Sequence, residues 1–218
     1  MIELKNIVKT YKRGAEIVYA LKDINLKIEK GDFIAITGPS GSGKTTLLHI
    51  IGCLDKPSSG VMKFNDKDIG KMSEADLVKI RREKIGFIFQ HFYLLPGLNV
   101  LENITLPLIF GRKTRSKEEI ISLIESVGLK DRIYHRINQL SGGEMQRVAI
   151  ARAIVSNPEI LLADEPTGNL DTENSEKIFE LLRLLNKKGL SVVMVTHNTE
   201  LAKRTNKVIT LRDGKIFY

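Results

Sequence analysis

The chain carries a single cysteine in 218 residues. No disulfide can close within it, so whatever core it builds must hold without covalent staples. Such usage fits a reducing compartment. Cys53 lies in the apolar stretch Ile50-Ile51-Gly52-Cys53-Leu54 and reads as a small core residue, not a nucleophile. Long hydrophobic runs are missing as well. Apolar stretches such as Leu106-Pro107-Leu108-Ile109-Phe110 fall far short of the ~18 residues that a membrane span needs. The first residues alternate charged with apolar side chains, unlike a secretory leader. There is no low-complexity tract and no internal repeat. These absences leave one large domain or two lobes with a core of its own, soluble unless another component holds it at a membrane.

Negative charge is the minority: 26 Asp and Glu stand against 34 Lys and Arg, a net charge of +8. The excess invites a nucleic-acid reading, but the cations are scattered. The densest cluster, Lys79-Ile80-Arg81-Arg82-Glu83-Lys84, already contains a carboxylate. The charge reads as solvated surface that also favours an anionic nucleotide or a nearby acidic membrane, and nucleic acid is not an expected partner. A histidine-held metal is not expected either, because His49, His91, His135 and His197 lack cysteine or carboxylate partners at ligand spacing.

What is present begins with Gly38-Pro39-Ser40-Gly41-Ser42-Gly43-Lys44-Thr45-Thr46, a complete phosphate-binding loop. The strand Phe33–Thr37 runs into it, and the apolar helix Leu47–Ile51 runs out. The glycines let the backbone curl so that N–H groups point inward at phosphate oxygens. The helix N-terminus adds partial positive charge. Lys44 supplies a mobile full charge for the β- and γ-phosphates, and the Thr45 hydroxyl can ligate Mg²⁺.

Around this loop the chain reads as α/β. Ile24, Leu26 and Ile28 alternate with Asn25, Lys27 and Glu29, as in a half-buried strand. Lys56-Pro57-Ser58-Ser59-Gly60 breaks the first helix. Buried strands are expected at Ile85–Phe89, ending at Gln90, at Ile160–Ala163 and at Ser191–Val195. A helix over Asn174–Asn186 and a terminal hairpin with an Asp213-Gly214 turn complete this part. Residues 98–156 differ: helices at Lys117–Val127, ending at Gly128, and at Met145–Val155, with no convincing strand, read as an inserted helical lobe. The expected division is one domain over 1–218, with 1–97 and 157–218 as core and β-subdomain and 98–156 as helical subdomain.

Leu140-Ser141-Gly142-Gly143-Glu144 opens the second of those helices. Ser141 and Glu144 form an S-x-x-E capping box, and a capped helix start with two glycines is also an anion site. The segment resembles the signature Leu-Ser-Gly-Gly-Gln of ATP-binding-cassette (ABC) proteins, with Glu144 replacing Gln, and the resemblance extends over essentially the whole chain. Because a carboxylate aimed at phosphate would repel it, Glu144 is expected to turn back toward the Ser141 N–H. The resemblance implies an ABC-type P-loop NTPase fold: a mainly parallel core sheet, an antiparallel β-subdomain and an inserted α-helical subdomain.

The family's other motifs assign roles residue by residue. Ile160–Glu165 resembles Walker B, so Asp164 would orient the Mg²⁺ hydration shell and Glu165 would be the general base on the attacking water. Gln90 matches the Q-loop and would ligate Mg²⁺ or water and sense the γ-phosphate. Asn169-Leu170-Asp171 matches the D-loop, with Asp171 equally able to cap the next helix. His197 matches the switch histidine that bonds the γ-phosphate and holds Glu165 and water in line. Tyr11 matches the aromatic that stacks on adenine. The resemblance implies that each ATP is bound by Tyr11, the loop residues Gly38 to Thr46, Gln90, Asp171 and His197. Ser141, Gly142 and Gly143 of a second subunit face the same γ-phosphate.

The implied product is an ATP-dependent head-to-tail homodimer that drives a separate transmembrane permease from the cytoplasmic face of the membrane. Ile51–Pro57, Lys84–Gln90 and Pro166–Asp171 look most like the subgroup handling lipoprotein release, macrolide export and antimicrobial-peptide resistance, and the chain ends soon after the hairpin, as short members do. A regulatory ATPase of a cell-division-type membrane complex is the alternative. DNA-repair relatives carry a long coiled-coil insertion between loop and signature that has no counterpart here, and translation relatives usually carry two cassettes.

Overall fold

The computed structural model describes residues 1–14, 16–111 and 113–217. β1 (Ile2–Arg13) and β2 (Glu16–Ile28) form a long antiparallel ribbon. The alternation of Ile24, Leu26 and Ile28 buries those three side chains and leaves Asn25 and Lys27 exposed. β3 (Phe33–Thr37) is buried over Phe33 to Ile36 and leads through a glycine-rich turn into α1 (Lys44–Ile51). β4 (Ser59–Phe64) and the short β5 (Lys67–Asp68) return to the ribbon and make a four-stranded antiparallel sheet, β2-β1-β4-β5. Then come α2 (Glu74–Lys84) and β6 (Ile85–Ile88).

Three helices follow: α3 (Val100–Gly111), α4 (Lys117–Ser126) and α5 (Gly142–Ile154). They bury a cluster of their own around Ile104, Ile124, Val148 and Val155. The remainder is β7 (Ile160–Asp164), α6 (Thr172–Lys187), β8 (Ser191–Val195), the single turn α7 (Thr199–Ala202), β9 (Lys207–Arg212) and β10 (Lys215–Phe217). The central sheet has the order β10-β9-β3-β8-β7-β6, with β9, β3, β8, β7 and β6 parallel and only β10 antiparallel. Each crossover between its parallel strands places helices against the sheet. One face packs on α1 and the antiparallel sheet, the other on α5 and α6, where Phe33 stacks on Phe179 with ring centroids 5.6 Å apart.

Several boundaries differ from the sequence reading. α1 starts at Lys44 and α5 at Gly142, three residues before Leu47 and Met145, because both helices begin inside glycine-rich turns whose apolar periodicity starts later. α5 stops at Ile154 and β6 at Ile88. α6 extends to Thr172–Lys187 because the Asp171 carboxylate caps its start. The terminal hairpin forms as expected, with Asp213 (φ 49°) and Gly214 (φ 78°) in the left-handed region that a tight two-residue turn needs. The consequence for function is geometric. β3, β7 and β8 run parallel, so their C-terminal ends, and the loops after them, meet on one edge of the sheet.

Candidate active site

The loop after β3 is built on backbone conformations that only glycine accepts without strain. Gly38 has φ 141°, and a Cβ there would lie 2.0 Å from the Leu211 carbonyl oxygen. Gly43 has φ 102°, and a Cβ would lie 2.4 Å from the Ala20 oxygen. Gly43 also stands at the N-cap of α1 with no side chain capping the helix. The first N–H groups of α1 are therefore left to an external acceptor, where the helix field favours an anion. Lys44 is 7% exposed, and its Nζ donates to the Gly38 and Pro39 carbonyls, both at 2.9 Å. The ammonium is folded over the loop it would share with a phosphate.

Asp164 ends β7, and Glu165 follows with φ 48°. The Glu165 N–H donates to the Val195 oxygen at 3.0 Å, which ties this turn to the end of β8. There the His197 N–H donates to Glu165 Oε2 at 3.2 Å, and His197 Nε2 lies 3.1 Å from Oε1. Oε1 is buried and has no aligned hydrogen-bond donor. Burial pushes the Glu165 carboxyl above its ordinary range, and the attraction of His197 opposes the shift. A carboxylate with raised proton affinity and an oxygen without an aligned donor is suited to polarising water. Ser40, Gly41, Gly43, Lys44, Thr45, Thr46, Asp164, Glu165 and His197 line one pocket of about 310 Å³. Val195 of β8 lines it too, and its remaining wall is Val18, Tyr19 and Ala20 from β2. The sequence offered no signal for these three, because β2 reaches the loop only through the ribbon's pairing.

Other expected residues lie apart. Tyr11 sits within β1, is 42% exposed, and donates its hydroxyl to Asp55 Oδ2 at 2.8 Å. It does not line the pocket, although it pairs across the ribbon with Val18, which does. Gln90 follows β6 and its Nε2 donates to Asn169 Oδ1 at 3.3 Å, while Asn169 Nδ2 donates back to the Gln90 oxygen at 2.9 Å. Asp171 accepts from the Asn174 N–H at 2.8 Å, the capping role open to it from sequence. Ser141, Gly142 and Gly143 start α5 away from the pocket, against Leu170 and Asn174. Glu144 is turned back as expected: Ser141 N–H donates to its Oε2 at 2.8 Å. Cys53 is buried, and burial pushes its thiol up to about 11, as suits a core residue.

A glycine-built anion loop, a buried lysine and a poised carboxylate at the ends of parallel strands describe a nucleotide-hydrolysing site. A family model described as ABC transporter matches residues 21–168, well over half of the chain. The chain belongs to the ABC transporter family. This cassette is 51% identical over 223 residues to the uncharacterized ABC transporter ATP-binding protein MJ0796 of Methanocaldococcus jannaschii, covering 99% of this chain and 95% of that one. It is 49% identical over 216 residues to the macrolide export ATP-binding/permease protein MacB of Bdellovibrio bacteriovorus. That match covers 99% of the cassette but 33% of the longer protein, so the cassette spans about a third of it. Among solved structures, the dimeric post-hydrolysis state of the ATP-binding cassette MJ0796 bound to ADP and Pi superimposes with a TM-score of 0.91 at 49% identity, covering 100% of this chain and 97% of that one. The cassette is an ATPase of the ABC type. None of its helices, among the described residues, is long and apolar enough to cross a membrane.

Proposed function

We propose that this cassette dimerises head to tail around two ATP molecules and drives a separate membrane-spanning permease in the export or extraction of lipoprotein, peptide or drug-like substrates. One separation carries the reading. Lys44, Glu165 and His197 converge on a single pocket, whereas Ser141, Gly142 and Gly143, which also form an anion-binding helix start, lie outside it. Each chain thus offers two different halves of a phosphate site, in two separate places. The dimeric form of MJ0796 supports the pairing. The name of MacB, which joins ATP-binding to permease, supports a membrane partner.

Within a closed site, Lys44 Nζ would exchange its two loop carbonyls for the β- and γ-phosphates. Glu165 Oε1 would hold the attacking water, kept in place through the contact with His197. Gln90 would reach the γ-phosphate on release from Asn169, and Tyr11 would stack on the base. Mg²⁺ fits these residues. Among the described residues no group of three or more His, Cys, Asp or Glu could hold a metal alone, and Mg²⁺ is usually held by a few protein oxygens plus phosphates. Thr45, Gln90 and Asp164 would supply those oxygens, and the ion would neutralise charge on the phosphates.

A cavity of about 550 Å³ between α2, β6, α3 and α5 is the proposed seat of the permease. Phe89, Leu106 and Phe110 give it apolar walls, and Arg82 and Arg152 a positive edge. Glu165→Gln should trap the dimer with ATP uncleaved, since the bridging γ-phosphate would remain. Sedimentation of that variant with MgATP should give a dimer, and without nucleotide a monomer. A monomer under both conditions would refute the reading.

A further inference from the structure

We propose that Arg132 is a positioning residue of the signature, cancelling the charge of Glu144 so that the start of α5 can receive a phosphate. The proposal rests on the reading above, in which that helix start faces the γ-phosphate held by a second copy of this chain. It begins from a conflict in the sequence. A carboxylate in the first turn stabilises a helix, yet the same negative charge weakens the field that would attract an anion. With Glu144 in place of Gln, the chain has put a full negative charge one residue beyond Gly142 and Gly143.

The structure resolves the conflict with two separate contacts, one for each carboxylate oxygen. Oε2 accepts from the Ser141 N–H at 2.8 Å, closing the capping box, and the Glu144 N–H donates to Ser141 Oγ at 3.3 Å. Oε1 accepts from Arg132 Nε at 2.9 Å. The arginine comes from the 3₁₀ turn Lys130–Arg132 that precedes α5, not from α5 itself. Its side chain is 42% exposed and that of Glu144 19%, so the carboxylate is the more enclosed partner. Both contacts lower the Glu144 carboxyl below its ordinary range, the backbone N–H foremost.

The pairing leaves the anion-binding parts free. The Gly142 and Gly143 N–H groups belong to the first turn and have no acceptor within the helix. The Ser141 oxygen accepts from Glu144 N, which leaves its hydroxyl proton able to donate outward. Arg132 therefore neutralises Glu144 from the side without occupying those amides. Without the arginine, the carboxylate would still cap the helix, but its charge would stand uncompensated next to an incoming phosphate. A neutral Gln at 144 could cap in the same way and would need no arginine.

The test measures ATP-driven dimer affinity by sedimentation in the Glu165→Gln background with MgATP. Arg132→Met removes the charge and keeps the stem; Arg132→Lys keeps the charge. Arg132→Met should weaken the dimer by about tenfold, the scale of one uncompensated charge near a phosphate. Arg132→Lys should weaken it less. Glu144→Gln alone should remain within about threefold of the parent, and Arg132→Met with Glu144→Gln should return to the Glu144→Gln value. Rescue is the decisive readout, since a merely structural arginine would still be missed in the double variant. An unchanged dimer in Arg132→Met, or a double variant as weak as Arg132→Met, overturns the proposal. If the parent forms no dimer with MgATP, the head-to-tail reading falls, and this one with it. Thermal melts of each variant identify unfolding, in which case Arg132→Lys with and without Glu144→Gln carries the same comparison.

Discussion

Glu165 combines left-handed backbone, a buried oxygen without an aligned donor and a histidine 3.1 Å away. Such clustering of local strain and perturbed proton affinity is typical of reacting centres. It also has a stability signature. Folding raises the carboxyl's affinity for its proton, mainly by burial, with His197 opposing. The native state therefore favours the protonated form. The stabilisation is full below the ordinary carboxylate range and is lost as pH rises through the raised value. At pH 7 the folded chain carries the cost of burying that charge. Glu165→Gln removes the charge and should raise Tm at pH 7 to 8, by about 2–4 °C for each kcal/mol recovered in a chain of this size. The gain should shrink as pH falls through the carboxylate range. A variant no more stable than the parent at pH 8 would mean that the contact with His197 outweighs burial.

At the scale of elements, the placement of the signature depends on how α5 meets the sheet. β6 approaches the helix through Gly86, where a Cβ would lie 2.5 Å from the Ala153 oxygen and 2.9 Å from a Leu161 methyl. Both neighbours are held, one in α5 and one in β7, so neither can yield cheaply. Gly86→Ala should push α5 outward and destabilise the fold by about 1–3 kcal/mol, the usual range for overpacking, read from urea unfolding. An unchanged midpoint would show that the interface can relax. The elements around this contact were unevenly legible. β3, β7 and β8 announced themselves as short apolar runs bounded by turn residues. α2 did not, because it buries only Leu77 and its polar surface gives no periodic stripe. α3 was hidden for the opposite reason: it is apolar on most sides and carries Pro107 inside, which reads as a helix breaker. β4 was masked by Pro57 and Gly60 at its start. The phosphate loop could be read because its chemistry is local in sequence, whereas Asp164, Glu165 and His197 were singled out by their resemblance to ABC motifs. Val18 and Tyr19 could not be read, because only the register of the ribbon brings them to the pocket.

In the molecule as a whole, the core is divided. One apolar cluster lies under the antiparallel sheet, one behind the central sheet, and one among α3, α4 and α5, with Leu123 and Leu181 shared between the last two. α5 belongs to both parts, giving Ile150 and Ile154 to the cluster behind the sheet and Val148 and Ala151 to the helical one. Any tilt of α3 and α4 against the sheet must therefore turn about that helix, and the seam runs along it. The 550 Å³ cavity spans that seam, with α2 and β6 on one side and α3 and α5 on the other. An occupant would therefore bind each relative position of the two parts with a different free energy, which is the condition for coupling. Phe110 stands on its rim, 65% exposed, so replacing it should cost the fold little while removing a large apolar surface from a partner. If the cavity seats the proposed permease, Phe110→Asp should reduce retention of that partner by about tenfold or more, the scale of losing one aromatic anchor. In the Glu165→Gln background the same change should leave ATP-driven dimerisation intact, because Phe110 lies outside the pocket of Lys44 and Glu165. Full retention of the permease would place its seat elsewhere. Loss of the dimer as well would mean that the seam transmits further than the cavity, from the permease side to the nucleotide itself.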